Sequence, residues 1–138
     1  MTSARKSGGG RVRLTSVKKP WGRFEELAKN ERVTVKLLHI KGGCRLSYQY
    51  HHYRREVWWV VKGRVVATVD GVNTVLREGE SVEIKVRERH RAAASVDSVL
   101  LEVARGRFDE GDIVRVEDDY GRGARTDSSN SLKPRPRG

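Results

Sequence analysis

Short runs in which apolar and polar residues alternate fill the middle of this chain. Eight of them, at 33–40, 46–51, 56–62, 64–69, 73–77, 81–86, 90–94 and 98–104, are rich in β-branched and aromatic residues and read as strands. Turn signals separate them. Lys41-Gly42-Gly43, Lys62-Gly63, Asp70-Gly71 and Glu78-Gly79-Glu80 place glycine where a tight reversal needs positive φ, and Asp70-Gly71 is a pairing suited to a two-residue type I′ hairpin. Only 23–30 has helical composition, enough for about two turns. Eight short strands predict an all-β sandwich or barrel, in which alternate residues of each strand line the interior.

Composition changes the picture mainly at the ends. The 138 residues suffice for one domain with its own core. A net charge of +11 invites a nucleic-acid reading, yet residues 21–120 balance 18 basic against 17 acidic side chains, and the surplus lies in the flanks. No specific nucleic-acid partner is therefore expected. Ser7-Gly8-Gly9-Gly10 on one side, and Ser128-Ser129-Asn130-Ser131 with Lys133-Pro134-Arg135-Pro136 on the other, predict disordered basic tails at 1–17 and 123–138 around a folded unit at 18–122. The triple glycine lacks the preceding strand and the Gly-Lys-Ser/Thr helix entry of a phosphate-binding loop. The longest apolar run, 57–61, is far below the ~20 residues that span a bilayer, and the first residues hold no apolar signal core. No membrane association and a cytoplasmic location are expected, which a single cysteine, Cys44, also fits.

Metal-competent side chains gather on these strands. Gln49 and His51, two apart, share one strand face, and Glu56 opens the next strand after a short turn. Gly79 precedes a later strand and His90 begins the one beyond. The strings Gly43-x5-Gln49-x-His51-x4-Glu56-x6-Gly63 and Gly79-x10-His90 resemble the two motifs of the cupins, with Gln49 in the first histidine place. Lys19-Pro20-Trp21-Gly22, Tyr48-Gln49-Tyr50-His51-His52, Glu56-Val57-Trp58-Trp59-Val60-Val61, His90-Arg91 and the stretch from Asp112-Ile113-Val114-Arg115 to Tyr120-Gly121-Arg122 make the chain similar to the type II mannose-6-phosphate isomerase cupin, over roughly residues 18–122. That domain is often fused behind a mannose-1-phosphate guanylyltransferase, an activity not expected of these residues. Tyr53 and Val57 stand where the family usually has histidines. Lys85, Arg87 and Ala94 replace the Pro, Gly and Asn of the second motif, which predicts a differently shaped loop before His90.

The resemblance implies a cupin jelly roll, a double-stranded β-helix, that interconverts mannose 6-phosphate and fructose 6-phosphate at a divalent metal. Gln49, His51, Glu56 and His90 would be its ligands, a mixed nitrogen and oxygen set suited first to zinc and also to Mn, Fe, Co or Ni. Moving a proton between C1 and C2 needs a general base, for which the sequence offers His52 and Glu88. The sugar phosphate needs a cation, and Arg122 comes first by resemblance, followed by Arg45 and Arg91. Lys85, Arg87 and Arg89 read as a solvated basic stripe, and His39, outside both motifs, as structural. With Glu56, Trp58 and Val60 facing inward, Val57, Trp59 and Val61 face outward, an apolar surface that predicts a homodimer through that sheet. The alternative is a metal-binding cupin that binds a sugar without isomerising it, or that performs another metal reaction such as oxygenation.

Overall fold

The computed structural model of the chain describes residues 15–122. The expected tails lie outside the described residues, apart from 15–17, which belong to a strand. Strands β1 (Thr15–Lys19) and β2 (Gly22–Glu26) form an antiparallel hairpin that pairs with neither main sheet. One main sheet runs β3 (Val33–Ile40), β11 (Ser98–Gly106), β6 (Arg54–Lys62), β9 (Ser81–Ile84). The other runs β12 (Val114–Glu117), β5 (Tyr48–Tyr50), β10 (His90–Ala94), β7 (Arg64–Val69), β8 (Val72–Arg77), with β4 (Cys44–Arg45) also against β10. All these pairings are antiparallel. The jelly roll expected from the sequence is thus present as two stacked sheets that do not close into one hydrogen-bonded cylinder.

The helical turn expected at 23–30 is corrected. Eight residues are too few to hold a helix without a packing partner. Pairing with β1 takes up the backbone of 23–26 instead, setting Phe24 opposite Val17 and Arg23 opposite Lys18, and 27–30 follow without regular structure. Among the described residues there is no helix, and so none long and apolar enough to cross a membrane.

The core lies between the sheets. Trp58 and Val60 of β6 and Leu100 of β11 pack with Val65, Ala67, Leu76 and Ala92 of the opposite sheet. The predicted type I′ turn forms, with φ of 46° at Asp70 and 82° at Gly71. Gly63, the last glycine of the first motif, has φ 86°, and a Cβ there would lie 2.8 Å from the Asp97 carbonyl oxygen. The outer face of the β3 sheet stays apolar, with Val35 and Leu37 both 55% exposed and Val61 49%. Val57, expected on that face, is buried, as is its β11 neighbour Val103.

Candidate metal centre

Three of the four expected ligands converge between the sheets. Glu56 enters from β6, His90 from the first position of β10, and His51 from the residue after β5. All three are buried, and their ligating atoms lie within 4.8 Å of one another. Glu56 Oε2 is 3.5 Å from His51 Nε2, and Oε1 is 3.9 Å from His90 Nε2.

Main-chain carbonyls aim both imidazoles. His51 Nδ1 donates to the Asp112 carbonyl oxygen at 2.6 Å and His90 Nδ1 to that of Glu88 at 2.8 Å. A carbonyl can only accept, so Nδ1 carries the proton and each Nε2 presents its lone pair to Glu56. Burial, opposed by the Glu56 charge, pushes His51 down to about 4, and burial likewise lowers His90. Both rings are therefore neutral near pH 7, as metal coordination requires. His90 Nε2 is buried with no hydrogen-bond partner, an orphaned acceptor that a cation would satisfy.

Two further side chains hold Glu56. Trp58 Nε1 donates to Oε1 at 3.0 Å, and Arg54 Nε to Oε2 at 3.1 Å. Arg54 is buried, stacks 4.2 Å above the Phe108 ring and brings Nη2 to 3.4 Å from His51 Nε2. Its signal was present in the sequence, since 54, 56, 58 and 60 alternate inward. Gln49 lies opposite His90 in the sheet. Its Nε2 is 3.4 Å from His51 Nε2, while its oxygen accepts from the Ser47 hydroxyl.

The structure does not bring the other expected residues to this cluster. His52 is 40% exposed, bonds Asp112 Oδ1 at 3.2 Å and meets the edge of Tyr50, on the far side of the strand from Gln49. Glu88 accepts from the Lys85 N–H and so closes the turn before His90. Arg91 alternates out from His90, where it bonds the Leu46 carbonyl and Glu117. Arg45, opposite outward-facing Ala93, is clamped at two points by Asp119. Arg122 is clamped in the same way by Asp118. Lys85, Arg87 and Arg89 are exposed, as expected of a solvated stripe, and His39 is exposed on the outer face of β3. Arg87, in the second motif's glycine place, takes the left-handed conformation, φ 69°, that glycine adopts freely.

Sequence reasoning left one interior carboxyl unused. Glu102 is buried on β11 between Lys36 and Trp58 in the sheet, and its carboxyl makes no hydrogen bond or ion pair among the described residues. Burial, reinforced by the Glu56 charge, pushes it up to about 7. Its position between inward Leu100 and Ala104 was a legible signal.

Comparison with known proteins fixes the family. The family model described as mannose-6-phosphate isomerase C-terminal matches residues 11–118. The chain belongs to that family. As a member of the mannose-6-phosphate isomerase C-terminal family it is 38% identical over 109 residues to the mannose-1-phosphate guanylyltransferase ManC of Salmonella typhimurium, covering 77% of this chain and 23% of that protein. It is 39% identical over 111 residues to the alginate biosynthesis protein AlgA of Pseudomonas aeruginosa, covering 78% and 23%. This chain thus spans about a quarter of the length of these curated relatives. Among solved structures, the fold matches the RmlC epimerase of Mycobacterium tuberculosis at TM-score 0.65 and 14% identity, over 83% of this chain and 73% of that one. It matches the 3′-monoepimerase ChmJ of Streptomyces bikiniensis at TM-score 0.62 and 12% identity, over 79% and 69%. These two likenesses establish the cupin fold.

Proposed function

We propose that this domain is a metal-dependent isomerase interconverting mannose 6-phosphate and fructose 6-phosphate. The observation that carries this reading is the buried His51, Glu56 and His90 cluster, with both imidazole Nε2 atoms aimed at one carboxylate, in a chain of this family. Gln49 completes the ligand set once a half-turn of its amide exchanges nitrogen for oxygen toward His51. The two nitrogens and two oxygens suit zinc first, then Mn, Fe, Co or Ni. A divalent ion held there supplies Lewis-acid stabilisation of the negative charge that grows on the sugar oxygens.

The chain's own residues do the rest. Trp58 and Arg54 fix the Glu56 carboxylate, and the Asp112 and Glu88 carbonyls fix the imidazoles. Glu102, rather than His52 or Glu88, is the interior carboxyl we assign to moving the proton between C1 and C2. The apolar face around Val35, Leu37 and Val61 forms a homodimer interface in this reading.

Metal analysis combined with a coupled mannose 6-phosphate assay tests the proposal. Wild type is expected to hold about one metal per chain and turn over, and His51→Ala to lose turnover. Stoichiometric metal in the His51→Ala, His90→Ala double variant would refute the ligand set. Metal without turnover in wild type would favour a sugar-binding cupin.

A further inference from the structure

β12 was not recognisable from the sequence, and it places an arginine where none was expected. Arg115 stands directly opposite Gln49, and Gln49 directly opposite His90. Opposed residues of an antiparallel ladder share a sheet face. Arg115, Gln49 and His90 therefore form one inward row across three strands. The register of β12 shifts immediately after Arg115, between it and Glu117, an irregularity of the kind that re-aims a side chain.

Among the described residues the guanidinium has no carboxylate partner. Arg115 Nε is buried with no hydrogen-bond partner, and Arg115 makes no ion pair among the described residues. Asp118 and Glu110 are the acidic groups that act on it, and both are engaged elsewhere, Asp118 with Arg122 at 2.8 and 2.9 Å and Glu110 with Lys36 at 2.9 Å. Arg122 adds repulsion rather than relief. By contrast, Arg45, Arg91 and Arg122 each carry a carboxylate partner. A buried guanidinium donor without an acceptor is costly unless an anion arrives from outside.

We propose that Arg115 is the anchor for the substrate's phosphate group, bound at the β12 end of this row while the carbonyl end of the sugar lies at the metal cluster. The inference rests on the isomerase reading for the identity of the substrate. Two strand spacings, about 10 Å, separate β12 from β10, the scale of an extended hexose phosphate. A guanidinium also suits a phosphate ester better than an ammonium does, through paired N–H donors.

The test compares wild type, R115M and R115K in the metal-loaded full chain, with mannose 6-phosphate and mannose as probes. R115M is expected to weaken mannose 6-phosphate binding by calorimetry about 10- to 100-fold, the range of a charged hydrogen bond. It should raise KM by a similar factor with little change in kcat, leave metal content unchanged, and not alter mannose binding. R115K should recover part of the loss. In wild type labelled with 15N-arginine, the Arg115 Nε–H signal should shift with mannose 6-phosphate and stay still with mannose, a readout that does not depend on the variants folding. Unchanged phosphate-sugar affinity in R115M, a still Nε–H signal, or wild type that binds no mannose 6-phosphate would overturn the proposal. Wild type that binds the phosphate sugar through Arg115 without isomerising it would overturn the isomerase reading alone.

Discussion

Glu102 separates two demands that the interior makes on a side chain. Burial favours its neutral form, and moving a proton requires it to ionise near working pH. With its pKa raised from 4.5 to about 7, the folded protein keeps a proton that the unfolded chain gives up, so this group's contribution to stability is full below pH 4.5 and lost as pH rises through about 7. In the metal-free protein, E102Q is expected to remove that loss, about 3 kcal/mol across the window, measured as the difference between the urea stability profiles of wild type and variant. The same substitution should lower kcat about 100-fold or more with metal content retained. At this scale the buried His51, Glu56 and His90 cluster was legible because alternation and spacing fix which side chains share a face. The partners that aim them were not, since the Asp112 and Glu88 carbonyls belong to the main chain and carry no residue-type signal.

The loop between β9 and β10 holds a left-handed residue that is not glycine. Arg87 donates its N–H to the His51 carbonyl at 2.8 Å from a left-handed conformation that costs a non-glycine residue about 1–2 kcal/mol. R87G is expected to raise the stability of the domain by about 1 kcal/mol, since glycine's own entropic cost offsets part of that relief, readable as a higher denaturation midpoint. At the β6–β7 turn the reverse holds. Gly63→Ala meets both positive φ and the Asp97 carbonyl, and should cost about 2 kcal/mol or more. Strands rich in β-branched residues or set off by turn signals were readable, and β3, β7 and β10 keep their predicted bounds. The β1–β2 hairpin and β12 were not, because each strand is only four or five residues long with at most two apolar positions, and pairing, rather than composition, makes them strands.

Over the whole molecule, the two-sheet architecture leaves one face of the β3 sheet apolar and open, with Leu37 opposite Leu101 and Val35 opposite Val103. A charge on that face should be tolerated by a monomer and not by a dimer. Leu37→Asp is expected to convert a dimer to a monomer in sedimentation analysis while keeping the metal, and a wild-type monomer would remove the interface proposal. The +11 charge has little part in this, since residues 21–120 are nearly neutral. The carbonyl clamps on the imidazoles also tie the cluster to the main chain. Any residue can supply a peptide oxygen, so the aim of the histidines depends on where the backbone runs at 88 and 112, and the Glu88 and Asp112 carboxylates hold it there by accepting from the N–H groups of Lys85, His52 and Tyr53. A substitution that frees either carboxylate would thus turn an imidazole without touching the ring itself.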